Sequence, residues 1–171
     1  MDDIVAWASI LATVFAGIGL LATAYQIRKA SRRDRVQRVA EYARDLFDDP
    51  DLRETYYRVE YGKFQYDKSF HESETEQKID NLLGRLDSLA KQVQMGAVEL
   101  EDLDLVAYRF VTVYQDRGVQ DYFRFLDGWY KERRLSRVPF HAFREVGARL
   151  ESAMTLHDRP HNPPLQADEG H

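Results

Sequence analysis

The strongest constraint on this chain is an uncharged segment of 24 residues close to its N-terminus, Ile4 to Ile27. A helix of about 20 apolar residues crosses the hydrocarbon core of a bilayer, and this segment is longer than that. A helix is also the one single-segment structure that satisfies its own backbone hydrogen bonds in lipid. Trp7 and Tyr25 lie near the two ends, where interfacial aromatic residues are found. We therefore predict a transmembrane helix at residues 4–27.

A cleaved signal peptide is an alternative interpretation of the same segment. Signal peptides begin with basic residues, have a shorter apolar core and end at a small-residue cleavage site. Ala22-Thr23-Ala24 resembles such a site, but the chain begins with Asp2 and Asp3 and its apolar segment is too long. The sequence favours a helix that stays in the membrane.

The basic residues after this segment predict its orientation. They are Arg28, Lys29, Arg32, Arg33, Arg35 and Arg38, with Asp34 as the one acid among them. Lys and Arg next to a span remain on the cytosolic side. We therefore expect residues 1–3 outside the cell, a basic juxtamembrane segment at 28–38, and the rest of the chain in the cytosol below an inner (plasma) membrane.

The part of the chain after Arg38 is acidic, with 18 basic and 26 acidic residues and a net charge of −8. Affinity for nucleic acid comes largely from neutralising phosphates, so this composition argues against a nucleic-acid partner. The chain has no cysteine, which excludes disulfides, thiolate metal sites and cysteine nucleophiles.

Apolar residues recur at helical spacing through residues 39–156, which predicts a small all-α domain. The clearest apolar stripe is Ile79, Leu82, Leu83, Leu86, Leu89, Ala90 and Val93. We expect a cytosolic bundle of about five or six helices, and a first helix that continues directly from the membrane span. Residues 157–171 are rich in proline, histidine and polar residues and are expected to be disordered.

Local signals place the helix boundaries. Asp49 before Pro50 is typical of a helix start, and Ser73 with Glu76 three residues later forms a capping box. Gly62 and Gly96 are expected to end helices, and Gly118 to interrupt one. Residues 63–72 are expected to form a loop.

Signals for catalysis or metal binding are weak. His141 and Glu145 lie four residues apart on a predicted helix, but a metal site needs three or four ligands. The Glu-x-x-His motif of helical di-metal proteins does not occur. We therefore predict no catalytic residue, no metal site and no cofactor. An enzyme would have to bring together five residues: His71, Asp80, Asp87, His141 and Glu145.

Aromatic residues are dense between residues 42 and 70. The adjacent Tyr56 and Tyr57 point about 100° apart on a helix, so both cannot face one core. Tyrosine is enriched where proteins meet partners, although it also fills cores with its hydroxyl at the edge. We predict a contact surface for a partner that consists of Tyr57, Tyr61, Phe64 and Tyr66.

The layout of the chain resembles a widespread group of small, single-span bacterial membrane proteins of unknown function. Three segments carry the likeness: TAYQIRKASR, FDDPDLRETYYRVEYGKFQYD and LDGWYKERR. The likeness covers roughly residues 4–135 and includes no catalytic signature. It implies a bacterial inner-membrane location and supplies no activity.

These observations leave three functional hypotheses. The leading one is a non-enzymatic interaction or regulatory module that displays a helical domain on the cytosolic face and binds a protein partner or further copies of itself. The second is a membrane-tethered enzyme with a carboxylate and histidine pocket. The third is an effector that oligomerises through its span, because Ala8, Ala12 and Ala16 form a stripe of small residues.

Overall fold

The computed structural model of the chain describes residues 23, 25–26, 29–46 and 48–157. Within these ranges the protein is all-α, with six α-helices and no strand. The helices are α1 (29–46), α2 (Pro50–Glu60), α3 (Glu74–Gln94), α4 (Asp104–Gln115), α5 (Arg117–Glu132) and α6 (His141–His157). The predicted all-α bundle of about five or six helices is confirmed for this part of the chain.

The apolar stripe of α3 lies at the centre of the bundle. This helix packs against α2 and α6, and α4 packs against α2, α5 and α6. Six of the seven stripe residues are buried and Val93 is half-buried. Tyr56, Phe110 and Phe143 are the largest fully buried side chains around it. Each such side chain contributes about 1.5–3 kcal/mol of hydrophobic stabilisation, so this core holds the helices together.

The start of α2 follows the predicted pattern. The Asp49 carboxylate accepts hydrogen bonds from the backbone N–H of Asp51 at 2.9 Å and of Leu52 at 3.3 Å, and Pro50 occupies the first helical position. Gly62 follows the helix with φ of 62°, a conformation that glycine adopts without strain.

The start of α3 differs in one detail from the predicted capping box. The Ser73 hydroxyl accepts from the backbone N–H of Glu76 at 3.1 Å, as expected. The Glu76 carboxylate, however, accepts from the backbone N–H of Glu72 at 2.7 Å and not from that of Ser73. This contact holds Glu72 at a φ of 62°, which is unusual for a residue with a side chain.

The break between α4 and α5 lies at Asp116, whereas the sequence predicts it at Gly118. The Asp116 carboxylate caps α5 by accepting from the backbone N–H of Val119 at 2.9 Å. Gly118 lies inside α5, where a Cβ atom would come within 2.8 Å of the Phe64 ring and of its carbonyl oxygen. Gly118 is therefore required for close packing of residues 63–72 on α5.

The helix α1 is an integral part of the bundle. Val39 and Leu46 are buried in the common core, and Tyr42 and Ala43 pack against it. Val36 and Ala40, which are also apolar, are exposed. The helix runs without a break through the predicted boundary between residues 38 and 39.

No helix within the described ranges is long and apolar enough to cross a bilayer. The predicted span at residues 4–27 lies outside the described residues, apart from residues 23, 25 and 26, which are helical. The predicted disordered tail also lies outside them, apart from residue 157.

Candidate functional site

A cleft of about 380 Å³ opens between the start of α3, the middle of α5 and the turn before α6. One wall carries polar side chains from residues 71–80. The other wall carries five aromatic rings, which are Tyr122, Phe125, Trp129, Tyr130 and Phe140. A mostly apolar cavity with a few convergent polar groups is the usual form of a small-molecule site. We therefore refer to it as the aromatic cleft and take it as the candidate site.

On the polar wall of the aromatic cleft, His71 and Glu76 form a hydrogen-bonded series with the neighbouring Tyr66. The Tyr66 hydroxyl lies 2.9 Å from Nε2 of His71, and Nδ1 of His71 lies 2.9 Å from Oε1 of Glu76. The ionised carboxylate can only accept, so Nδ1 donates to it, whereas the Tyr66 hydroxyl is able either to donate to Nε2 or to accept from it. The Tyr66 ring packs edge-on to Phe70, with centroids 5.6 Å apart.

This series has the order hydroxyl, imidazole, carboxylate that hydrolases use to activate a nucleophile. Burial, and then the negative charges of Glu76 and Asp67, raise the pKa of Tyr66. A raised pKa opposes formation of a nucleophilic phenolate. The series connects residues 63–72 to the first turn of α3.

The second polar group is Asp80, one turn further along α3. Its Oδ1 accepts a hydrogen bond from the Tyr122 hydroxyl at 2.9 Å. Burial raises the pKa of Asp80, and the nearby Glu76 adds to this, although the Tyr122 bond and His71 act in the opposite direction. Burial and the Asp80 charge likewise raise the pKa of Tyr122. None of the ion pairs within the described ranges includes Asp80.

The two most deeply buried acids of the bundle differ from Asp80 in this respect. Asp87 accepts from the backbone N–H of Phe143 at 3.0 Å and pairs with the Lys91 ammonium at 2.7 Å. Asp102 pairs with Nε of Arg35 at 2.6 Å. Each of these carboxylates has a cation of its own chain as its partner.

A second cavity, of about 570 Å³, lies at the start of α6 and is lined by Asp87, Lys91 and His141, among others. A helix N-terminus attracts anions because its first N–H groups lack partners. Here the Asp87 carboxylate already occupies that position through its bond to Phe143. The α6 N-terminus is thus capped from within the chain.

The structure divides the five residues that an enzyme would have to bring together. His71 and Asp80 line the aromatic cleft, Asp87 and His141 line the second cavity, and Glu145 accepts a bond from the Gln94 amide at 2.8 Å on the surface. Within the described ranges, no three His, Asp or Glu side chains are grouped so as to hold a metal ion.

The four residues of the predicted partner surface also separate. Tyr57 and Tyr61 are 40% and 65% exposed, and their rings stack with centroids 5.7 Å apart. Phe64 is only 4% exposed and packs against Phe70, so it belongs to the core. Tyr66 is half-buried beside the aromatic cleft. The exposed part of the predicted surface is therefore the pair Tyr57 and Tyr61.

The basic segment has one member with a structural partner. Arg35 binds Asp102, as described above, and its terminal nitrogen lies 3.0 Å from a Glu99 carboxylate oxygen. Burial alone would raise the pKa of Asp102, but the Arg35 bond and the Glu99 backbone N–H outweigh it and lower that pKa. Lys29, Arg32 and Arg33 are exposed, and Arg28 lies outside the described residues. Nothing in the sequence distinguishes Arg35 from the basic residues around it.

Comparison of the chain with family models, curated proteins and solved structures finds no match. The geometry of the bundle is therefore the basis for the functional proposal.

Proposed function

We propose that this protein is a single-pass membrane protein that displays its helical bundle on the cytosolic face as a non-enzymatic interaction module. The observation that carries the proposal is the bond between Arg35 and Asp102. This bond fixes the basic segment to the bundle at Arg35, so the segment is not a free linker between the predicted span and the bundle.

The position of Arg35 sets the distance between bundle and membrane. Arg35 follows Ile27 by eight residues, and a helix of eight residues is about 12 Å long. The headgroup layer on each side of a bilayer is roughly 5–8 Å thick. The bundle would therefore begin at the membrane surface. The exposed Lys29, Arg32 and Arg33 would then lie at headgroup level, where each basic residue contributes about 1 kcal/mol of attraction to anionic lipid.

The pair Tyr57 and Tyr61 is the contact surface that we propose for a protein partner or a second copy of the chain. Their stacked rings are already ordered before binding, and ordered aromatic side chains lose little conformational entropy on contact. An enzymatic function finds less support, because the five candidate residues lie in separate places.

The anchoring and its orientation can be tested directly because the chain has no cysteine. Single-cysteine variants Asp3→Cys and Ser88→Cys are expressed in bacterial cells and treated with a membrane-impermeant maleimide. We expect labelling of the Asp3→Cys chain in intact spheroplasts, and of the Ser88→Cys chain only after lysis. Equal labelling at both positions before lysis, or release of the chain by alkaline carbonate, would overturn the proposed topology.

The contact surface needs a separate experiment in intact cells. A photo-reactive amino acid replaces Tyr61, and the control carries it at Leu135, which is also exposed but lies beyond the end of α5. We expect a discrete cross-linked species from position 61 and none from position 135. Its mass distinguishes a second copy from another protein. The same products from both positions, or none from position 61, would contradict the proposed surface.

A further inference from the structure

The aromatic cleft contains a carboxylate, that of Asp80, which forms no ion pair with a lysine or arginine among the described residues. Asp87 and Asp102 pair with Lys91 and Arg35, whereas Asp80 has the Tyr122 hydroxyl as its partner. Its second oxygen, Oδ2, has no hydrogen-bond partner among the described residues. Asp80 is half-buried. Even partial burial of a carboxylate without a paired cation costs free energy, and residues that carry such a cost are frequent in binding sites.

The remaining walls of the cleft suit a positive charge. Along the cleft, none of the side chains that the structure describes is a lysine or an arginine, and the one basic side chain, that of His71, is hydrogen-bonded to Glu76. The faces of aromatic rings attract cations. Rings of α5 already do so within the chain, since the Arg133 guanidinium lies 3.9 Å from the Trp129 centroid and that of Arg144 lies 4.1 Å from the Phe123 centroid.

We infer that the aromatic cleft is a binding site for a small organic cation of the alkylammonium class. The ammonium group would lie between Asp80 Oδ2 and the rings of Phe125 and Trp129. The site lies within the bundle, so the inference holds whether or not the chain is anchored in a membrane as proposed above.

The hydrogen-bonding capacity of the cleft narrows the class further. Both oxygens of Glu76 are occupied, one by His71 and the other by the backbone N–H of Glu72. Asp80 Oδ1 is occupied by Tyr122. Proteins recognise quaternary ammonium groups, which have no N–H donor and so need no further acceptor, mainly through aromatic side chains. The cleft is lined by five aromatic residues and therefore fits a quaternary ammonium group best.

A quaternary ammonium group occurs both in free choline-like molecules and in lipid headgroups. In a phosphocholine headgroup, a phosphate stands next to the ammonium. Glu72 and Glu76 line the same cleft as Asp80 and would repel it. The ligand that the cleft fits is therefore the free cation.

The test uses the full chain in maltoside micelles, which contain no ammonium group. Trp7→Phe leaves Trp129, which lines the cleft, as the one tryptophan in the chain. We expect choline to change the Trp129 fluorescence saturably. The uncharged isostere 3,3-dimethylbutan-1-ol should bind at least about tenfold more weakly, because it lacks the attraction of the charge to Asp80 and to the rings. Phosphocholine should also bind more weakly than choline.

Two variants separate binding from folding. Asp80→Asn keeps an acceptor for the Tyr122 hydroxyl but removes the charge, and we expect it to lose choline binding by about tenfold or more while the bundle stays folded by circular dichroism. Asp45→Asn removes an equal charge from an exposed position on α1 and should bind as the parent does. Equal affinity for choline and its isostere, undiminished binding by Asp80→Asn, or no saturable response would overturn the inference. Tighter binding of phosphocholine than of choline would overturn the assignment to the free cation.

Discussion

Two regions of this molecule shield a carboxylate from water, almost fully at Asp102 and partly at Asp80, and they do so in opposite ways. At the start of the bundle, Asp102 is 4% exposed and pairs with Arg35. In the aromatic cleft, Asp80 has a tyrosine hydroxyl as its partner and no cation within the described residues. The opposite pKa shifts follow from this difference, because the pKa of Asp102 is lowered and that of Asp80 is raised. The buried Asp102 with its own cation fastens α1 to the segment before α4, whereas Asp80 without such a partner is the group to which we assign an external cation.

The largest effect is expected from Asp102→Ala. The substitution removes the partner of Arg35 and the acceptor for the backbone N–H of Glu99, so we expect a loss of about 2–3 kcal/mol in the free energy of unfolding. Urea denaturation of the full chain in micelles measures it. Glu99→Ala is the matched control. Its ion pair with Arg35 is exposed to water, and its removal should cost less than about 1 kcal/mol. Equal losses for the two variants would show that the buried pair has no special role.

A somewhat smaller effect is expected from Gly118→Ala, which acts on the side of the aromatic cleft. The added Cβ would lie 2.8 Å from the Phe64 ring and carbonyl, so residues 63–72 must move, at a cost of about 1–3 kcal/mol. Gly128→Ala lies in the same helix, with no atom within 4 Å of the added Cβ, and should not destabilise the protein. Unfolding midpoints of both variants measure the difference. Stability unchanged by Gly118→Ala would mean that the segment over the cleft is not held against α5.

The opposite sign is expected from Asp80→Asn. The amide oxygen still accepts from Tyr122, but no charge is buried, so stability at pH 7 should increase by less than about 1 kcal/mol. The gain is measured as a rise in the unfolding midpoint over the parent chain. A loss of stability would mean that the Asp80 charge is already balanced within the protein.

The smallest effects are expected in the pH dependence of stability, where the two acids should again oppose each other. Burial raises the pKa of Asp80, so its carboxylate costs stability at neutral pH, and the cost disappears as the pH falls through a folded-state pKa above 3.8. The pKa of Asp102 is lowered, so its contribution is complete above pH 3.8 and is lost as the pH falls below that value. Urea denaturation from pH 7 to pH 3 should therefore show the advantage of Asp80→Asn shrinking before Asp102 begins to matter. An advantage that is independent of pH would contradict the assignment to Asp80.

The fold was largely predictable because its main determinants are local. The stripe on α3 and the caps at Asp49 and Ser73 depend on residues within a few positions of one another. The break between α4 and α5 was predicted at Gly118 but occurs at Asp116, and the reason lies in tertiary packing. Gly118 is needed because Phe64, 54 positions earlier, packs closely against it. Gly118 itself has ordinary helical geometry and does not break the helix.

The aromatic cleft could not be predicted, because its walls come from distant parts of the sequence. Residues 71–80, 122–130 and 139–140 meet only when α3, α5 and the turn before α6 are packed. On α2, neighbouring residues point about 100° apart, and Tyr56 is buried while Tyr57 is exposed, as the sequence predicted. Phe64 and Tyr66 lie outside a helix, where no periodicity tells a buried ring from an exposed one.

The bond between Arg35 and Asp102 has a mechanical consequence. Residues 23, 25, 26 and 29–46 are helical, and Arg35 and Val39 fix this helix to the bundle. Each residue of an α-helix adds about 100° of rotation. In the membrane-anchored arrangement that we propose, one residue inserted after Lys29 would turn the bundle by about 100° relative to the span. The angular phase of α1 would then determine which face of the bundle, the Tyr57 side or the aromatic cleft, points toward a neighbouring molecule.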